Sequence, residues 1–89
     1  MDVYGIAAFR SRQQVLHYES ILTRRGIPVR VLSTPREVAV GCGLSLQFPI
    51  DYIRSVQEVL SHEHPANLIG LYMVDKRPNA RARLTVVSK

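Results

Sequence analysis

One cysteine, Cys42, stands in the whole chain, which excludes an internal disulfide and leaves the domain without a covalent staple. The three histidines, His17, His62 and His64, join it in no C-x-x-C or H-x₃-H spacing, so no structural zinc site is declared and no metal or cofactor is expected. His62 and His64 flank Glu63 near the end of an expected helix, where histidines simply complement the negative dipole end. No apolar run approaches the roughly 20 residues that cross a bilayer. The amino terminus, with Asp2 second, lacks the basic start, apolar core and small-residue cleavage site of a secretory signal. A free thiol and no export signal together favour the reducing cytosol, so a cytoplasmic protein without membrane attachment is expected. An excess of charge is also missing from most of the chain. Residues 1–75 hold seven basic side chains (Arg10, Arg12, Arg24, Arg25, Arg30, Arg36, Arg54) and seven acids (Asp2, Glu19, Glu37, Asp51, Glu58, Glu63, Asp75). The whole net charge of +5 sits on Lys76, Arg77, Arg81, Arg83 and Lys89. The body offers no basic stripe and no clustered aromatic motif on which bases could stack, so nucleic acid is not an expected partner.

What is present suits one small core. Eighty-nine residues with 46% apolar content make one domain, and a core of that size leaves marginal stability that a second subunit could supplement. Residues 2–9, short, apolar and partly aromatic, read as a strand. Ser11 followed by Gln14 makes a capping box, after which Val15, Tyr18, Ile21 and Leu22 fall on one stripe of a helix over about residues 12–25. Gly26 ends it and Pro28 prevents its resumption. Val29 and Val31 alternate with Arg30, and Leu44, Leu46 and Phe48 alternate with Ser45 and Gln47, giving two half-buried strands. Residues 33–43 between them are long for a hairpin connection, and such length often accompanies function. Pro49 and Asp51 suit a helix entry; Tyr52, Ile53, Val56, Val59 and Leu60 share one face, and the helix should end between His62 and Pro65. Residues 67–74 read as a last core strand.

The order βαββαβ predicts an α+β, ferredoxin-like sandwich: an antiparallel sheet with both helices on one face. The expected division is a domain over 1–75 and a basic extension over 76–89. Arg30, Ser45 and Gln47 make part of the other sheet face polar, while the first and last strands offer apolar side chains to it, enough for a dimer contact and hence for a homo-oligomer. After Pro78 the chain alternates imperfectly and predicts either an edge strand, within the subunit or across to a neighbour, or disorder.

Cys42 is the one candidate for chemistry. Gly41 and Gly43 on either side permit unusual backbone angles and close approach of another molecule to the sulfur. Consecutive N–H groups of a Gly-Cys-Gly turn, with a guanidinium such as Arg36, would favour thiolate over thiol, and the thiolate is the form that accepts and hands on a sulfur atom. The competing account is a small buried residue filling space at a strand end. Arg36 beside Glu37 could orient a partner or form an exposed ion pair.

The segment from Pro35 through Phe48, with Pro-Arg-Glu early, Cys-Gly-Leu central and Leu-x-Phe after it, resembles the signature of the Se/S carrier-like family of small bacterial proteins. Phe9-Arg10-Ser11, the turn Arg25-Gly26-Ile27-Pro28-Val29 and the Phe48-Pro49 helix entry extend the likeness over residues 2–74. The resemblance implies a thiol that carries sulfur or selenium, placed on Cys42 with Pro35, Arg36 and Gly43 in support. Two departures stand out. Ala39-Val40-Gly41 precede the cysteine where the family often has small hydroxyl residues, and the extension from Lys76 lies outside the pattern.

The leading expectation is a carrier that is not an enzyme: Cys42 takes up sulfur or selenium as a persulfide-type adduct from a donor protein and passes it to an acceptor protein. The alternative is a ferredoxin-like adaptor or regulatory domain that dimerises through its open sheet face, with Cys42 structural. Autonomous catalysis lacks a recognisable acid–base pair or metal set.

Overall fold

In the computed structural model, which describes residues 2–34, 43–63, 65, 67–76 and 83–88, the elements follow in the expected order with one addition. Strand β1 (Asp2–Phe9), helix α1 (Arg12–Arg24), strands β2 (Arg30–Ser33) and β3 (Leu44–Pro49), a 3₁₀ turn (Ile50–Tyr52), helix α2 (Ile53–Glu63), and strands β4 (Leu68–Lys76) and β5 (Arg83–Ser88) make an α+β fold. The sheet has five strands in the order β2-β3-β1-β4-β5 with antiparallel pairing throughout, consistent with the ferredoxin-like arrangement. The carboxy-terminal pattern resolves as an edge strand within the subunit: β5 pairs with β4 from Leu71↔Ser88 to Asp75↔Arg83, with an irregularity between Leu71 and Tyr72. Among the described residues no helix is long and apolar enough to cross a membrane.

Local chemistry sets the helix ends. Ser11, in extended conformation, accepts the Gln14 N–H at 3.4 Å through its hydroxyl, so one half of the capping box is made. The other half is not: the Gln14 Oε1 is buried with no hydrogen-bond partner among the described residues. At the far end, the Gly26 N–H donates to the Thr23 carbonyl and the Ile27 N–H to the Leu22 carbonyl, each at 3.0 Å. These two bonds form a Schellman motif, which requires the left-handed backbone that Gly26 supplies at φ 81°. Ile27 then folds back into the core beside Leu22.

Helix faces and strand alternation meet in one core. Val15, Tyr18 and Leu22 of α1 and Val56, Val59 and Leu60 of α2 share a buried cluster with Ala7, Phe9, Leu46, Phe48 and Leu71 of the sheet. Both helices therefore cover the same face. Phe9 and Tyr18 stack at 5.4 Å between ring centroids, tying the end of β1 to α1. The Phe48 ring lies against Gly5, where an added Cβ would clash with the ring carbons; the glycine is there for close approach.

The opposite face departs from expectation. Ile6 and Ala8 are 0% exposed, and Tyr72 and Val74 are also buried, in a second cluster packed round by Tyr4, Ile69 and Leu84. The bare apolar surface anticipated on β1 and β4 is thus closed within the chain, partly because β5 sets Leu84 opposite Val74. Of that face's large apolar side chains, Val86 on β5 remains open at 52%.

Candidate functional site

Pro35, Arg36, Gly41 and Cys42 lie outside the described residues, and Gly43, the carboxy-terminal neighbour of Cys42, lies within them. The structure accordingly defines where the cysteine-bearing segment leaves the sheet and where it returns. Strands β2 and β3 pair in register up to Ser33↔Leu44. One step further, the Thr34 N–H donates to the Gly43 carbonyl at 3.1 Å, so both ends of the segment are pinned side by side. A side-chain bond adds to this: the hydroxyls of Thr34 and Ser45 are 2.8 Å apart, and Ser45 is fully buried. Burial makes that bond matter, because a lone hydroxyl in an apolar setting is costly.

Gly43 also touches β1. An added Cβ there would lie 3.1 Å from the Thr34 Oγ1 and 3.3 Å from the Phe9 carbonyl oxygen, tighter than a side chain comfortably takes. Gly43 thus packs tightly against the backbone at the end of β1, a role within the subunit distinct from the expected opening of the sulfur to another molecule. Two residues beyond Phe9 comes Ser11, the N-cap of α1. The mouth of the cysteine segment and the amino terminus of α1 thus share one end of the sheet. Asn67 joins them there, its carbonyl accepting the Arg10 N–H at 2.8 Å.

The start of α1 is positive, while Glu63 closes α2 as that helix runs back toward the same end. The first turn of α1 carries no acid, its unpaired N–H groups form the positive pole of the helix, and Arg10 and Arg12 flank the cap with exposed side chains. Neither arginine pairs with an acid among the described residues. Such a setting favours an anion approaching the mouth. Deeper in α1, the Tyr18 phenol is pushed above its ordinary ionisation range, by burial first and then by the Glu63 carboxylate.

One concave surface lies apart from this end. A cleft of about 440 Å³ lined by Tyr4, Pro28, Arg30, Gln47 and Pro49 opens at the opposite end of the sheet, where β2 begins and β3 ends. His62 is exposed near the end of α2, and His64 falls outside the described residues. Among the described residues no three His, Cys, Asp or Glu side chains gather as metal ligands.

Composition and position between glycines pointed to Cys42 but not to Thr34, Ser45, Arg10 and Arg12 as the surroundings. Ser45 carried a signal, being the one small hydroxyl between Leu44 and Leu46. Thr34 carried none, since its partner is eleven residues away.

Comparison with curated proteins gives no match, and comparison with solved structures gives none either. A family model does match, from Tyr4 to Tyr72, a span that begins in β1 and runs through both helices to β4 with the whole cysteine segment inside it. On that match the chain belongs to the family described as "Putative Se/S carrier protein-like".

Proposed function

We propose that this protein is a sulfur or selenium carrier that holds its cargo on Cys42 and performs no turnover of its own. The supporting observation is family membership across residues 4–72, with the only cysteine of the chain inside that span, one residue before Gly43. In the carrying step the Cys42 thiolate attacks the outer sulfur of a donor's persulfide. The donor's S–S bond breaks, a new S–S bond forms on Cys42, and the donor leaves as its thiolate. Electrons balance without an outside oxidant, and the reverse exchange delivers the sulfur to an acceptor thiolate. Selenium follows the same course through a selenosulfide.

Each neighbour has a part in this reading. Gly41 adds no side chain beside Cys42 to hinder a second protein's sulfur, and Gly43 seats the end of the segment against Phe9. Arg36, with the positive end of α1, favours the anionic sulfur on which both exchange steps depend. Pro35 limits the conformations of the segment beyond Thr34. The ferredoxin-like frame holds the two ends of that segment fixed, and the partners are a donor and an acceptor protein. An adaptor that dimerises through its open face is less well supported, because Ile6 and Ala8 are closed to solvent within the subunit.

The test is intact-protein mass spectrometry after incubation with a cysteine desulfurase and L-cysteine. The wild type gains the mass of one sulfur atom, reductant removes it, and Cys42→Ser gains nothing. Wild-type protein that stays unmodified with every persulfide donor refutes the reading.

A further inference from the structure

The first two turns of α1 present an unusual surface for so small a domain. Arg10 and Arg12 are exposed beside the N-cap, and one turn beyond Arg12 stands Leu16, 49% exposed. Leu16 and Val86 are the only large apolar side chains left so open among the described residues. Residues four apart share a helix face, so Arg12 and Leu16 lie together. The next acid along the helix is Glu19, about 10 Å from Arg12 by the rise per residue. The surface sits where the cysteine segment joins the sheet: Gly43 abuts the Phe9 carbonyl, and Arg10 follows Phe9 directly.

We propose that Arg10, Arg12 and Leu16 form the docking face for the protein that loads Cys42, and that this donor offers an acidic surface with an apolar centre. The proposal rests on the carrier reading and adds the identity of the face and the chemistry of the partner. Transfer between two proteins brings two sulfurs into contact, so the partner must cover the ground next to Cys42. Arg10 and Arg12, which pair with no acid among the described residues, stand where the cysteine segment joins the sheet and steer an acidic partner into place, and a half-exposed leucine supplies an anchor that burial would reward. A protein is favoured over nucleic acid because the patch holds an aliphatic anchor and two cations, and no aromatic platform for bases.

The experiment compares second-order rates of persulfide loading from two donors: a cysteine desulfurase supplied with L-cysteine, and cysteine hydropersulfide as a small donor. The variants are Arg10→Glu with Arg12→Glu, Leu16→Ser, and a control of equal charge change at the far end of the sheet, Arg30→Glu with Arg54→Glu. Carboxylates near the amino terminus of α1 favour that helix, so the first variant keeps its fold, which circular dichroism verifies. The expected result is a fall of at least about tenfold in desulfurase loading for the Arg10/Arg12 pair at low salt, with a flatter salt dependence. Leu16→Ser gives a smaller fall, the control pair none, and small-donor rates stay constant throughout. Equal desulfurase loading of wild type and the Arg10/Arg12 variant overturns the docking face and leaves the carrier reading standing. So does wild-type loading by the small donor alone. Loss of binding to a short RNA in that variant, with desulfurase loading unchanged, reassigns the patch to nucleic acid and overturns it too. No adduct from either donor overturns the carrier reading and the docking face together.

Discussion

The two faces of the sheet are built from alternate residues of the same strands, yet they do different things. The helix-covered face is apolar from β2 to β4 and locks around Phe9, Leu46, Phe48 and Leu71. The opposite face divides. Its β1, β4 and β5 half is apolar and closed over Ile6 and Ala8, while its β2 and β3 half carries Arg30, Ser45 and Gln47. The polar half includes the Thr34–Ser45 bond at the root of the cysteine segment. One face holds the fold together; the other organises the entrance to the segment without surrendering much apolar surface to solvent.

That contrast can be broken at its strongest point first. Phe48→Ala empties the centre of the helix-covered face and should cost about 3–5 kcal/mol in urea unfolding. A loss below about 1 kcal/mol would mean that this face is not the main core. The glycine slots sharpen the comparison. Gly5→Ala forces a methyl against the fully buried Phe48 ring and should cost about 1–3 kcal/mol. Gly70→Ala presses on the Tyr72 ring, from 2.8 Å at the hydroxyl, but Tyr72 lies near the surface at 7% exposure and its ring end can swing aside. Its cost should be clearly smaller, and equal midpoint shifts for the two variants would erase the distinction between the faces.

On the polar half, Thr34→Val leaves the buried Ser45 hydroxyl without its partner. About 1 kcal/mol of stability should go, together with a changed alkylation rate at Cys42, because the two ends of the segment lose one of their ties. Unchanged alkylation would separate the hydroxyl pair from the cysteine. The smallest effect concerns Tyr18. Its phenol ionises above the ordinary value of 10.0 in the folded chain, so the folded state holds that proton more tightly than the unfolded one. The resulting stability is complete below pH 10.0 and is lost as pH rises from there through the higher folded value. Tyr18→Phe should therefore flatten the alkaline fall in the urea midpoint; an identical slope in both proteins would contradict the shift.

Much of the scaffold was legible residue by residue. Ser11, Gln14 and Gly26 announced α1, and Leu44, Leu46 and Phe48 announced β3, because caps and alternation depend on neighbours within a few positions. The entry to α2 differed in detail: Ile50–Tyr52 form a 3₁₀ turn before the α-helix begins at Ile53. At the site, Cys42 and Gly43 stood out by composition alone, whereas Arg10 and Arg12 acquired meaning only when the end of β1 came up against Gly43.

By itself the sequence settled the two helices and the first four strands over residues 2–74, the apolar faces of the helices and of β3, and that the chain holds a single thiol, since these follow from local periodicity and composition. Folding in three dimensions decided the rest: that β5 lies against β4, that Ile6 and Ala8 are shut away on the helix-free face, that Thr34 meets Ser45, and that α1 begins beside the cysteine segment. Each of these is a meeting of residues far apart in the chain. No pattern of near neighbours encodes them, because they arise from how strands choose partners and how side chains of different strands close over one another.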